Sequence, residues 1–401
     1  MSEQPDEGYI YLDWAATAPL SEAARRAMEP YLQPGPGSLA MNMNANSLHG
    51  PGRRAFGALE QARKSIARDL GARRPSEMIF TSGATEADNA AIFGIARAAL
   101  EAHPLRNQPG FRPRVIVSAI EHDAVLAPSA RLAREGFDVV RLKPDRNGFI
   151  CTDSLEAALN ESTLLVSVQM ANSEVGSVQP VDALARLSHG AGALFHTDAT
   201  QALGKVPIDL DALGADAASF SAHKIGAPKG VGALYLRART PFQPQMLGGG
   251  QEDGRRSTTQ NVAGAAAFAA AVAQAVASQP AEAERQGRLR DRLYRQLAAI
   301  DGIAPTVDVQ PGSRRYLPNI VSVLSRDFES ETLILRLDAR GFGVSGGSAC
   351  SSHSLEPSHV LKALGYGDEA YGALRISFGP DTGEGDLDQF VQALTDCLEG
   401  A

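Results

Sequence analysis

The stretch MIFTSGATEADN, residues 78–89, decides the fold. An apolar run of strand type leads into Ser82-Gly83-Ala84-Thr85, and a long helical pattern opens at Thr85. A strand that ends in small residues and turns at once into a helix is the building unit of a helix-covered parallel sheet. The small residues leave backbone N–H groups free, and the helix dipole adds positive potential, so the turn suits a phosphate. Thr85 and Asp88 also stand at capping-box spacing, under which the same segment is a plain helix start.

The alternation continues on both sides. QARKSIARDLGA (61–72) is helix-like and stops at a glycine. After the long helix come RVIVSAIEH, helical APSARLAREG, DVVRLK, TLLVSVQMAN, helical PVDALARLSHG, ALFHTDA, AASFSAHK and GALYLRA, which ends at residue 238. Short apolar runs alternating with amphipathic helices predict an α/β fold with a mostly parallel sheet. The Gly-rich segment LGGGQEDGRRSTTQNVAG (247–264) then breaks the pattern. Beyond it lie an Ala-rich helix, a charged helix EAERQGRLRDRLYRQLAAI, strands such as NIVSVL and a small-residue loop. At 401 residues the chain exceeds the ~250–300 that one core supports. A large domain over 16–261 is expected, with a smaller α+β domain from 1–15 and 262–401.

Hydrophobic residues at 44% and charged residues at 21% are ordinary for a globular protein. A formal charge of −8 with no long basic run argues against nucleic acid or an anionic membrane as direct partner. The start, MSEQPDEGYIYLDWAATAPL, lacks a basic head and an apolar core, so no signal peptide is expected. VAGAAAFAAAVAQAVA, from Val262, reads as a buried helix and not a membrane span. Cys151, Cys350 and Cys397 are widely spaced. They form neither a disulfide framework nor a zinc ligand set, and they fit a reducing cytoplasm.

Ligands of open α/β sheets bind at the carboxyl ends of strands. Asp198 ends one such run and is either a turn residue or the partner of a protonated ring nitrogen. Gln201, one turn on, is placed to reach a phenolic oxygen of the same ring. Lys224 follows Ser221 and His223 at the end of the next run, as a surface lysine or as an imine-forming one. His122 is a structural histidine or a ring cover able to shuttle protons. Together these residues supply the different needs of one cofactor.

The chain thereby resembles the cysteine desulfurases, pyridoxal-phosphate enzymes of the class V aminotransferase superfamily with the fold type I transferase architecture. The resemblance is carried by YLDWAATAP, FTSGATEADN, EHDAVL, NSEVGSVQP, HTDATQALGKVPIDL, SFSAHKIGAPKGVGALY, GGGQEDGRRSTTQNV, LPNIVSVL, SGGSACSSHSLEPSHVLKALG and LRISFG. The GSACSS and SLEPSHVLKALG segments are similar to the branch with the longer cysteine loop, that of iron–sulfur-assembly and nitrogenase-type enzymes.

The resemblance implies pyridoxal 5'-phosphate held by Lys224 as Schiff-base lysine and by Asp198 at the pyridinium nitrogen. It implies Gln201 at the ring hydroxyl, His122 over the ring, and Ala84, Thr85, Ser221 and His223 at the phosphate. Thr259 matches a threonine that reaches the neighbouring subunit's phosphate, which implies a homodimer. Asn172 and Arg375 match substrate positions, Arg375 being suited to clamp a carboxylate through two bonds. Asn44 matches a loop near the substrate, with Ala45 where the family carries proline. Cys350 is implied to take sulfur from L-cysteine as a persulfide, releasing L-alanine. The sulfur then passes to an acceptor such as an iron–sulfur scaffold or a tRNA-thiolation protein. A carrier that must travel suits a Gly/Ser-rich loop, and no second thiol stands nearby to trap the persulfide. A selenocysteine lyase or an aminotransferase would use the same cofactor site.

Overall fold

The computed structural model describes residues 8–36, 41–347 and 357–399. Its central sheet is built from β2 (Met78–Thr81), β3 (Arg114–Ser118), β4 (Asp138–Leu142), β5 (Thr163–Ser167), β6 (Leu194–Asp198), β7 (Ala217–Ser221) and β8 (Gly232–Leu236). Among the described residues their order is β2-β8-β7-β6-β5-β3-β4. All are parallel except β8, which runs antiparallel to both neighbours, with Met78 opposite Tyr235 and Ala217 opposite Leu236. β2 therefore points the same way as β7, and the carboxyl ends of six strands share one edge. The chain order reverses between β3 and β5, the place where open sheets bind ligands.

Both sheet faces are buried, which is why these strands read as continuous apolar runs. Val115 and Val117 of β3 face one core with Ile92, Ile95 and Leu165. Ile116 faces the opposite core with Val166, Phe195 and Phe220. Helices α1 (Glu22–Met28), α2 (Gly50–Asp69), α3 (Ala84–Ala102), α4 (Asp123–Arg134), α5 (Thr152–Ala158), α6 (Val181–Gly190) and α7 (Leu210–Leu213) punctuate this half of the chain.

The remaining elements are α8 (Val262–Leu297), β9 (Ile303–Pro305), β10 (Ile320–Ser325), α9 (Ser330–Asp338), β11 (Phe342–Gly343), α10 (His359–Ala363), β12 (Ala373–Ser377) and α11 (Glu384–Glu399). β12-β10-β9 form an antiparallel sheet, and β1 (Ile10–Tyr11) pairs in parallel with β11. Leu12 packs in the same core as Val321, Leu374 and Phe390, so the N-terminal strand sits with the C-terminal unit.

One expectation changes here. The Ala-rich and charged segments are a single helix, α8, that runs through Pro280 without ending. Val262, Phe268 and Val272 at its start belong to the large-sheet core, whereas Leu289, Leu293 and Leu297 belong to the smaller one. Hydrophobic burial at both ends outweighs the one backbone donor that proline removes. The apolar half of α8 is long enough to cross a membrane by composition, but it lies against α1 and α2.

Candidate active site

A cavity of about 400 Å³ opens at the carboxyl edge of the central sheet. Lys224 enters it from a 3₁₀ turn, Ala222–Ile225, that follows β7 directly. The Gly226 that ends the turn has φ 78°, in the left-handed region that favours glycine. The Lys224 ammonium donates to the carbonyl oxygens of Ala15 at 2.7 Å and Ala16 at 2.8 Å. That segment is itself pinned, since the Ala15 N–H donates to Ser377 Oγ at 2.9 Å and Ala18 N–H to the His223 carbonyl at 3.0 Å. Behind Lys224, the Lys205 amine donates to the Lys224 carbonyl at 2.8 Å. Burial, and then the Lys224 charge, brings Lys205 down to about 7.

One end of the cavity is the start of α3. The helix has no side-chain N-cap, leaving its first N–H groups turned to the cavity edge formed by Gly83, Ala84 and Thr85. The capping box expected from Thr85 and Asp88 does not form. Asp88 is buried in the second turn, and it is Glu86 that reaches back to accept from the Ser82 N–H at 2.7 Å. Asp88 carries the apolar-face register of Ala87 and Ala91, so the helix turns it inward. Ser221 Oγ lies 3.7 Å from where a Cβ on Gly83 would stand, and a Cβ on Gly232 would come within 2.7 Å of Gly83 Cα. Only glycine at 232 lets the start of β8 pack against this turn. His223 shares a hydrogen bond of 3.1 Å with Thr17 Oγ1. Burial, and then the charges of Lys224, Lys229 and Lys205, lowers His223 to about 4, so its ring is neutral at pH 7. Lys224 and Lys229 line the same cavity as this uncapped helix start, which makes the cavity attractive to an anion.

Asp198, the last residue of β6, accepts from the Thr200 N–H at 2.9 Å through Oδ1. Gln201 donates to the Ala15 carbonyl at 2.9 Å, which ties it to the segment that holds Lys224. His122 is the N-cap of α4, and its Nδ1 accepts from the Ala124 N–H at 3.1 Å. A neutral imidazole with Nδ1 accepting carries its proton on Nε2. Arg375, on β12, is 2% exposed. It donates to the Ser173 carbonyl at 3.1 Å and pairs with Asp13, and its Nε has no partner.

The residues expected from the sequence thus divide into groups. Ala84, Thr85, His122, Asp198, Gln201, Ser221, His223, Lys224 and Arg375 line one cavity. Asn172 lies beneath its wall, where Oδ1 accepts the N–H groups of Glu174 and Val175 at 2.8 and 2.9 Å. Thr259 and Asn44 are exposed and do not line this cavity. Their segments touch each other, with Asn46 donating to Gln260 at 2.9 Å. Cys350 lies outside the described residues. Of the other cysteines, Cys151 is exposed and Cys397 is buried. Sequence reasoning did not find Asp13, Asp88, Glu121 or Lys205 as site residues. Each sits inside a motif whose neighbours drew the attention, and only packing shows where its side chain ends.

The Aminotransferase class-V family model matches residues 10–390. The cysteine desulfurase IscS of Dictyoglomus turgidum is 40% identical over 391 residues, 97% of this chain and 94% of the relative. The cysteine desulfurase of Cereibacter sphaeroides is 41% identical, with 96% of this chain and 94% of the relative covered. Among solved structures, a NifS-like protein superposes with a TM-score of 0.87 at 34% identity, over 98% of this chain and 100% of its own. A structure described as SspA in complex with cysteine gives 0.77 at 32% identity, over 92% and 99%. The chain belongs to the class-V aminotransferase family, and within it to the cysteine desulfurases.

Proposed function

We propose that this protein is a pyridoxal-phosphate-dependent cysteine desulfurase that converts L-cysteine to L-alanine and takes the sulfur onto Cys350. The observation that carries the reading is one cavity lined together by Lys224, the uncapped start of α3 and the buried carboxylate of Asp198. A phosphate-bearing pyridine aldehyde needs those three features around one cavity. The donor set fits the group: Ser221, His223 and the first N–H groups of α3 for the phosphate, Asp198 for the ring nitrogen, Gln201 for the ring oxygen and His122 for the ring face. Bound there, pyridoxal phosphate supplies an electron sink for the carbanion left when the Cα proton departs.

The protein's own residues do the remainder. Arg375, with an unpartnered Nε in the cavity wall, holds the substrate carboxylate. The Lys224 amine, or His122 beside it, takes the Cα proton. The Cys350 thiolate attacks the substrate sulfur, so one S–S bond forms as the substrate C–S bond breaks. Cysteine and a thiol give alanine and a persulfide, with no outside oxidant. The kinship with IscS proteins supports an iron–sulfur scaffold as acceptor, with tRNA-thiolation proteins a second class of recipient. A reducing cytoplasm suits a free thiol carrier.

A homodimer accounts for the exposed, mutually bonded segments of Asn44 and Thr259, each poised to serve the cavity of a second copy. The test is mass spectrometry of the intact protein after incubation with cysteine. One added sulfur is expected on Cys350, with alanine released and both lost in Cys350→Ala. Equal alanine from wild type and variant would indicate a different class V reaction.

A further inference from the structure

Behind Asp198 stands a second acid that the proposed chemistry does not use. Asp88, on α3, also lines the cavity and is fully buried, and among the described residues the Ser219 hydroxyl is the one donor that relieves its carboxyl. Among the described residues, no lysine or arginine pairs with it. His196 stands beside it, with Nε2 3.6 Å from Oδ1. That imidazole is fully buried and spends both nitrogens on hydroxyls, Nδ1 with Ser167 Oγ at 2.8 Å and Nε2 with Ser219 Oγ at 2.9 Å. A third buried acid, Glu121, follows β3. Its Oε1 accepts from the Gln169 N–H at 2.7 Å, and its Oε2 has no partner.

Three carboxylates in one interior would each carry a large desolvation cost if ionised. Protonation removes it. Burial, and then the charge of Asp198, pushes Asp88 well above the usual carboxylate range, with only partial relief from the Ser219 hydroxyl. Burial raises Glu121 to about 8 and lowers His196 to about 3.

We propose that Asp88 is a positioning residue that stays a neutral carboxylic acid behind Asp198, holding the ring-nitrogen end of the cavity at one negative charge. This rests on Asp198 as the cofactor's ring-nitrogen partner. An ionised Asp88 would repel the Asp198 charge and favour a proton there, leaving the ring nitrogen a weaker partner. With Asp88 neutral, one carboxylate meets one protonated ring nitrogen, and the buried charge balances.

The test compares Asp88→Asn with wild type. An amide has the size of the neutral acid and no charge. Infrared difference spectroscopy on the cofactor-free protein at pH 7 is expected to lose the carbonyl stretch of one protonated carboxyl in Asp88→Asn, with Glu121→Gln assigning the other. In the loaded enzyme the variant is expected to keep the pH titration of the cofactor absorbance, because the amide leaves the charge beside Asp198 unchanged. No lost band, or a titration displaced by more than about one pH unit, overturns the proposal. If the variant does not fold, an infrared pH titration of Glu121→Gln decides: absence of a protonated carboxyl at pH 7 overturns it. Asp198→Asn separates the two readings. Unchanged cofactor absorbance in that variant would sink the role of Asp198, and the infrared result would still report on Asp88.

Discussion

His122 carries two duties that one substitution can separate. Its Nδ1 caps α4 through the Ala124 N–H, and its ring lines the cavity. Asparagine is among the best N-cap residues but has no imidazole. His122→Asn is therefore expected to melt within a few degrees of wild type while turnover with cysteine falls about 10²–10⁴-fold, the usual range for a lost proton carrier. Thermal melts and steady-state alanine production check both halves. A variant that loses stability and keeps turnover would reduce His122 to a helix cap.

At the scale of elements, the segment that leads to Thr259 is anchored by a buried ion pair. Arg63 on α2 meets Glu252 through two bonds, 2.6 and 2.9 Å long, and Glu252 also accepts from the Phe80 N–H of β2 at 3.0 Å. Both side chains are buried. The carboxylate thus joins a helix, a strand and a loop, and Arg256 four residues on ties the loop to Glu86 at the start of α3. Removing one partner of such a pair leaves the other charge in the interior. Glu252→Ala is expected to cost about 3 kcal/mol or more, read as a lower urea midpoint of the cofactor-free protein. A shift below about 1 kcal/mol would mean that Glu60, 2.9 Å from Arg63 Nε, suffices alone.

At the scale of the molecule, the cavity holds Lys224 but not Thr259. If Thr259 serves a second copy, two broken subunits complement each other. Lys224→Ala and Thr259→Ala are each expected to be weakly active or inactive alone. Mixed under subunit exchange, they should recover part of the wild-type rate, since one site of the mixed dimer is whole. No recovery with exchange shown by mass would place Thr259 outside the neighbour's site.

The sequence alone determined the alternating strands and helices, the turns at or just past strand ends that carry Thr85, His122, Asp198 and Lys224, and the family. Those features are local: apolar period, small residues at turns, and motifs read within a few positions. It did not determine that α8 is one helix, because two cores far apart in sequence support its two ends. Nor did it place Asp88, whose spacing from Thr85 suits a helix cap. Only the packing of α3 on the sheet turns that carboxyl inward beside Asp198 and His196. Burial and charge proximity are properties of neighbours brought together by folding, so pairs such as Asp13 with Arg375, 362 residues apart, were decided by tertiary structure.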